Sequence, residues 1–100
     1  MSTLHVLSHS PFGDDRFTSC LRLLGEQDAL LLSGEAVQAL RQSTAPFEQL
    51  EALPTGIALF ALEEDVAARA LGTLPSRITQ LDYPGFVALC IQHDKVNSWL

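Results

Sequence analysis

Cys20 is the residue whose type and surroundings best suit chemistry. A thiolate is the reactive form of cysteine, and near neutral pH it needs positive neighbours. Arg16 lies four residues back on the same helical face, and Arg22 is close in sequence. A helix beginning at Thr18 would also put Cys20 in its first turn, where free N–H groups favour an anion. Periodicity favours the other reading. Phe17, Cys20, Leu21 and Leu24 follow i, i+3, i+4, i+7, so Cys20 reads as a small hydrophobe in a core-facing stripe.

Cys90 and His93 are three residues apart and could meet on one helix as nucleophile and base. Cys90 also lies between Val87 and Ile91, which favours burial. His5 and His9 straddle a strand and a loop, so their spacing has no helical meaning. A three-histidine metal site with His93 has no positional support, and neither a metal nor another cofactor is expected. His9, at a strand's carboxyl end, is a site residue or an exposed polar one. Glu63, Glu64 and Asp65 resemble acids for proton transfer, but a helix N-terminus attracts acids without any catalytic need. Trp99 near the terminus and Tyr83 between Asp82 and Pro84 are candidate partner contacts, since Trp is enriched at interface centres.

Glycines at 13, 25, 34, 56, 72 and 85 leave no G-x-G-x-x-G and no phosphate-binding P-loop. C-x-x-C, H-E-x-x-H and G-x-S-x-G are also missing. Six basic against twelve acidic residues give a net charge of −6. That excludes a basic nucleic-acid module and a polybasic membrane binder. It leaves open an RNA pathway joined through protein partners. Two cysteines are too few for a disulfide scaffold, and Cys20 could pair with Cys90 only if their backbones meet. Every uninterrupted apolar run falls far short of the roughly 20 residues that cross a bilayer. The opening MSTLHVLSHS lacks the features of a signal peptide. A cytoplasmic, soluble, reduced protein is expected.

The elements that must position these residues read as one domain, 1–100. Leu4, Val6 and Leu7 make a first strand, and Ser8–Asp15 a loop. Asp14 or Asp15 caps the next helix, and Gly25 ends it. Ala29–Leu32 suits a strand buried on both faces. Ser33 caps a short helix with Ala36, Val37 and Leu40. Gln42–Pro46 breaks it, and Phe47–Leu53 adds a turn or two. Ile57–Leu62 is a third strand. Glu63 opens a helix that runs through Leu71 and stops at Gly72. Ile78–Leu81 is a fourth strand. Pro84 sits at the start of a helix with the stripe Phe86, Val87, Cys90 and Ile91. Asp94–Leu100 reads as a tail. The alternation predicts an α/β three-layer sandwich, a mainly parallel sheet of four to five strands with helices on both faces. Sites in such folds gather at the carboxyl ends of strands. Here those ends are Ser8–Asp15, Ser33–Glu35, Leu62–Asp65 and Asp82–Gly85.

Four blocks add a resemblance. Leu4–Leu7 with Ser10-Pro11-Phe12, Leu21–Leu24 and Asp28–Leu32 form the first. Ala61–Asp65 with Ala68–Leu71 form the second. Leu81-Asp82-Tyr83 with Gly85-Phe86-Val87 form the third, and Ser98-Trp99-Leu100 the fourth. Together they resemble the TusB/DsrH family of sulfur-relay subunits over nearly the whole chain. The resemblance implies a DsrE-like fold and assembly with TusC-like and TusD-like subunits as a dimer of heterotrimers, a heterohexamer. It implies persulfide sulfur passed to a TusE-like carrier, towards 2-thiolation of the wobble uridine of tRNA. The main persulfide cysteine then belongs to the TusD-like subunit, and no direct contact with nucleic acid or membrane is expected. Cys20 becomes a candidate auxiliary persulfide site, because DsrH-like chains tend to carry a cysteine there. The alternatives are a DsrH-like subunit of a DsrEFH complex in dissimilatory sulfur oxidation and a stand-alone persulfide transferase using Cys20. By itself the chain is expected to contribute to transfer rather than to catalyse. Ser10, Pro11, Phe12, Tyr83 and Trp99 are the expected partner-interface residues.

Overall fold

The computed structural model describes residues 2–99. Five strands and their connections alternate along the chain: β1 (Thr3–Leu7), α1 (Arg16–Leu23), β2 (Ala29–Leu32), a 3₁₀ helix (Gly34–Leu40), α2 (Ala45–Glu51), β3 (Ala58–Leu62), α3 (Glu63–Ala68), β4 (Ile78–Leu81), α4 (Tyr83–Gln92) and β5 (Lys95–Trp99). The sheet order is β4-β3-β2-β1-β5, and every neighbouring pair is parallel. β1 to β4 step outward, then the chain crosses back to lay β5 beside β1.

Right-handed crossovers place connections that run in opposite directions along the sheet on opposite faces. The core divides accordingly. On one face Leu7, Leu30, Leu32, Leu59 and Ala61 meet Phe17 and Cys20 of α1, Val37 and Leu40 of the 3₁₀ helix, Leu50 of α2 and Val66 of α3. On the other, Leu4, Ala29 and Leu31 meet Leu89 of α4, with Val6, Phe60, Phe86 and Cys90 half-buried around them. β2 serves both faces, so all four of its residues are buried. This is why its sequence is continuously apolar rather than alternating.

Several local expectations change in the tertiary structure. Within the expected tail, Lys95–Trp99 is an edge strand, in register with β1 from Thr3↔Lys95 to Leu7↔Trp99. Leu100 of the expected tail lies outside the described residues. The apolar stripe of α4 is Phe86, Leu89 and Cys90, whereas Val87 and Ile91 are 56% and 80% exposed. That helix is apolar almost all round, so periodicity could not choose the face; the sheet does. α1 begins at Arg16, with no side-chain cap from Asp15. Asp14 instead accepts the Arg16 amide at 2.9 Å. Gly25 does not end α1 in a left-handed turn; its amide donates to Asp28 at 2.8 Å. Ser33 does not cap the following helix, because its hydroxyl and amide both donate to the Leu7 carbonyl (3.1 and 2.9 Å). α3 stops at Ala68, short of Leu71.

Two side chains unnoticed in the sequence fasten the α2 region. The Thr44 hydroxyl caps α2 by accepting the Phe47 amide. Arg77, just before β4, donates to the carbonyls of Leu53 (2.7 Å), Pro54 (2.6 Å), Glu51 (3.3 Å), Ile57 (3.3 Å) and Leu50 (3.5 Å). Its guanidinium thus gathers carbonyls from the end of α2 and the turn into β3; of these, Leu50 and Pro54 also accept the backbone amides of Leu53 and Ile57.

Candidate functional site

All five strands point their carboxyl ends to one edge of the sheet. At β1 the order reverses, and the loop that leaves β1 there carries Ser10, Pro11 and Phe12. The Ser10 carbonyl accepts the Gly13 amide at 3.2 Å and its hydroxyl accepts the Phe12 amide at 3.2 Å. This tight turn lifts Phe12 to 59% exposure. Across the edge Tyr83 opens α4, 58% exposed and edge-on to Phe86. The Asp82 carboxylate accepts the Gly85 amide at 2.8 Å and so caps that helix.

The acids at the start of α3 are structural at Asp65. Its carboxylate accepts the Gly34 amide at 2.9 Å. Gly34 needs that close approach: its φ is +51°, and a Cβ there would sit 3.4 Å from the Ser8 carbonyl oxygen. Asp65 also lies 3.7 Å from Arg69, whose guanidinium holds Glu35 at 2.6 Å. That ion pair keeps the Glu35 carboxyl below the ordinary range.

Cys20 lies under α1, fully buried among Leu7, Leu30 and Leu32. Burial first, and then the negative charge of Asp28, push its thiol up to about 12. The arginines do not offset this. Arg16 pairs with Asp14, and Arg22 is exposed, on a groove of about 350 Å³ lined by Thr18, Leu21, Gln49, Ala52 and Leu53. Since α1 begins at Arg16, Cys20 also lies beyond its first turn. Of the two readings of Cys20, the geometry favours the core one.

Cys90 is half-buried on the opposite face of the sheet. A Cys20–Cys90 disulfide is therefore closed off by the sheet itself. The His93 ring does not serve Cys90 either; its Nδ1 bonds the Leu89 carbonyl at 3.0 Å. His9 is exposed in the loop after β1.

The structure brings together three groups that sequence reasoning left apart. His5 is buried, and its Nε2 lies 3.5 Å from Asp28 Oδ2. Its Nδ1 accepts the Trp99 indole N–H at 3.1 Å. Asp28 also accepts the amides of Gly25 (2.8 Å) and Thr3 (2.9 Å). Burial raises its pKa, but those two amides and His5 prevail and hold the carboxyl below its ordinary value. Trp99 is thus half-buried against its own domain, while Phe12 and Tyr83 stay open. The contact of Asp28 with Gly25 is local, but Thr3 and His5 reach it only through the pairing of β1 with β2, which no local spacing marks.

Three comparisons place this arrangement. The chain has the fold of ychN from E. coli, whose crystal structure it matches with a TM-score of 0.82 at 20% identity, covering 99% of this chain and 100% of that one. The expected DsrE-like fold is therefore the observed one. Protein TusB of Escherichia coli O81 (strain ED1a) is 39% identical over 97 residues, 96% of this chain and 99% of its own. Protein TusB of Shigella boydii serotype 18 matches to the same extent. The family model described as "DsrH like protein" matches residues 9–96. With a relative this similar along its whole length and a family match over most of its residues, the chain belongs to the TusB/DsrH family.

Proposed function

We propose that this chain is a subunit of a TusBCD-like sulfur-relay complex that supports 2-thiolation of the wobble uridine of tRNA, passing persulfide sulfur between carrier proteins. The observation that carries the reading is the 39% identity to TusB along 96% of the chain. TusC-like and TusD-like chains are the proposed partners in a dimer of heterotrimers, with a TusE-like carrier downstream. Exposed Phe12 and Tyr83 at the carboxyl edge, and exposed Val87 and Ile91 on α4, supply the apolar surface that subunit contacts need. A net charge of −6 suits docking to proteins rather than to tRNA. No described helix is long and apolar enough to cross a membrane.

In this reading the chain is mainly a structural subunit. Cys20 acts as an auxiliary persulfide site only when α1 lifts from β1 and β2, since the closed state buries the thiol. The test is deletion of the gene, with mass spectrometry of tRNA nucleosides, beside co-purification of the tagged chain. Loss of the 2-thio group and recovery of both partner subunits are expected. Intact thiolation with impaired sulfur oxidation would transfer the chain to a DsrEFH-type complex. Intact thiolation with no partner recovered would overturn the relay reading.

A further inference from the structure

An indole N–H can only donate. The Trp99–His5 bond therefore requires a lone pair on His5 Nδ1, which leaves the ring proton of neutral His5 on Nε2, facing Asp28 (3.5 Å). A proton added to the ring must go to Nδ1, and there it would meet the Trp99 N–H, two donors 3.1 Å apart. The bond cannot survive that protonation. Imidazole is the side chain whose charge ordinarily changes between pH 5 and 8.

The groups around the ring are few. Asp28, at the start of β2, takes the Nε2 side. Cys20 on α1 feels the same carboxylate. On β5 the position paired with His5 is Asn97, and Lys95 sits opposite Thr3. Asp94 precedes β5 and accepts the Ser2 amide at 2.9 Å. β5 itself is an edge strand whose first four residues are exposed, so Trp99 is the side chain that ties it to the core. Edge segments with few buried contacts are where local opening costs least.

We propose that the His5–Trp99 hydrogen bond is a pH-sensitive latch: protonation of His5 expels the Trp99 indole and loosens the carboxyl end of β5 from β1. The latch rests on this geometry alone and stands apart from the relay reading. Trp99 is the sole tryptophan, so its fluorescence reports the latch directly. As the pH is lowered with the fold still intact by circular dichroism, the full chain is expected to show one emission transition. H5Q, whose side-chain carbonyl accepts an indole N–H at every pH, is expected to show none. A flat wild-type titration, or the same transition in H5Q, would overturn the latch. Should H5Q fail to fold, hydrogen exchange on the wild type decides. Below the transition, protection of the β5 amides should fall roughly fivefold, the factor one hydrogen bond of average strength implies, while β2 and β3 stay protected. Unchanged β5 protection, or uniform loss across the sheet, would sink the proposal.

Discussion

Iodoacetamide added to the folded chain should label Cys90 well before Cys20. Cys90 is half-buried, whereas Cys20 has no exposed surface and a thiol pushed up to about 12. Peptide mapping by mass spectrometry checks the order, and denaturant should make the two equal. Fast labelling of native Cys20 would show that α1 opens readily and would favour a sulfur-carrying role. Asp28 has a pH signature of its own. Its carboxyl is held below the ordinary value in the folded chain, so the unfolded chain takes up its proton first as pH falls. The stabilisation is complete above the ordinary carboxylate range of about 4 and is lost as pH drops through the lower folded value. D28N should therefore melt below wild type at pH 7, and the gap should narrow under acid; a gap that is constant with pH would deny the linkage. At this scale the sequence marked Cys20 correctly as a member of an apolar stripe. It could not show the Asp28 charge that helps raise its thiol, because the approach of a helix to the start of β2 leaves no trace in local spacing.

Among the elements, α2 and β4 depend on a side chain outside both. Arg77 donates to five carbonyls around the end of α2 and the turn before β3. R77M keeps much of the apolar stem and removes every donor. It should cost about 2 kcal/mol, a Tm fall of roughly 10 °C in a domain this size; an unchanged Tm would mean water serves those carbonyls equally well. Strand positions were legible because β2, β3 and β4 are short apolar or β-branched runs between turn residues. Helix boundaries were less so. α3 ends early where Ala70 takes a φ of +50°, and Ser33 turns to the Leu7 carbonyl instead of capping. In both cases a tertiary contact or a turn outweighs a local preference of about 1 kcal/mol.

For the whole molecule, the two faces of the sheet are unequally covered. α1, the 3₁₀ helix, α2 and α3 share one, and α4 lies on the other, with Val87 and Ile91 turned outward. If that surface meets a partner subunit, V87D/I91D should fold as wild type by circular dichroism yet fail to co-purify with TusC-like and TusD-like chains. Full recovery of both would move the interface to the carboxyl edge at Phe12 and Tyr83.

The sequence alone determined the α/β class, the order of strands and helices up to α4, and the family resemblance, because each depends on patterns within about ten residues or on short motifs. Only the tertiary structure decided which side of α4 faces the sheet, that Lys95–Trp99 is the strand β5, and that Trp99 turns inward to His5, 94 residues away in the chain. Those outcomes depend on which strand lies beside β1. That is settled by the competition of all apolar surfaces for one core, which no single segment encodes.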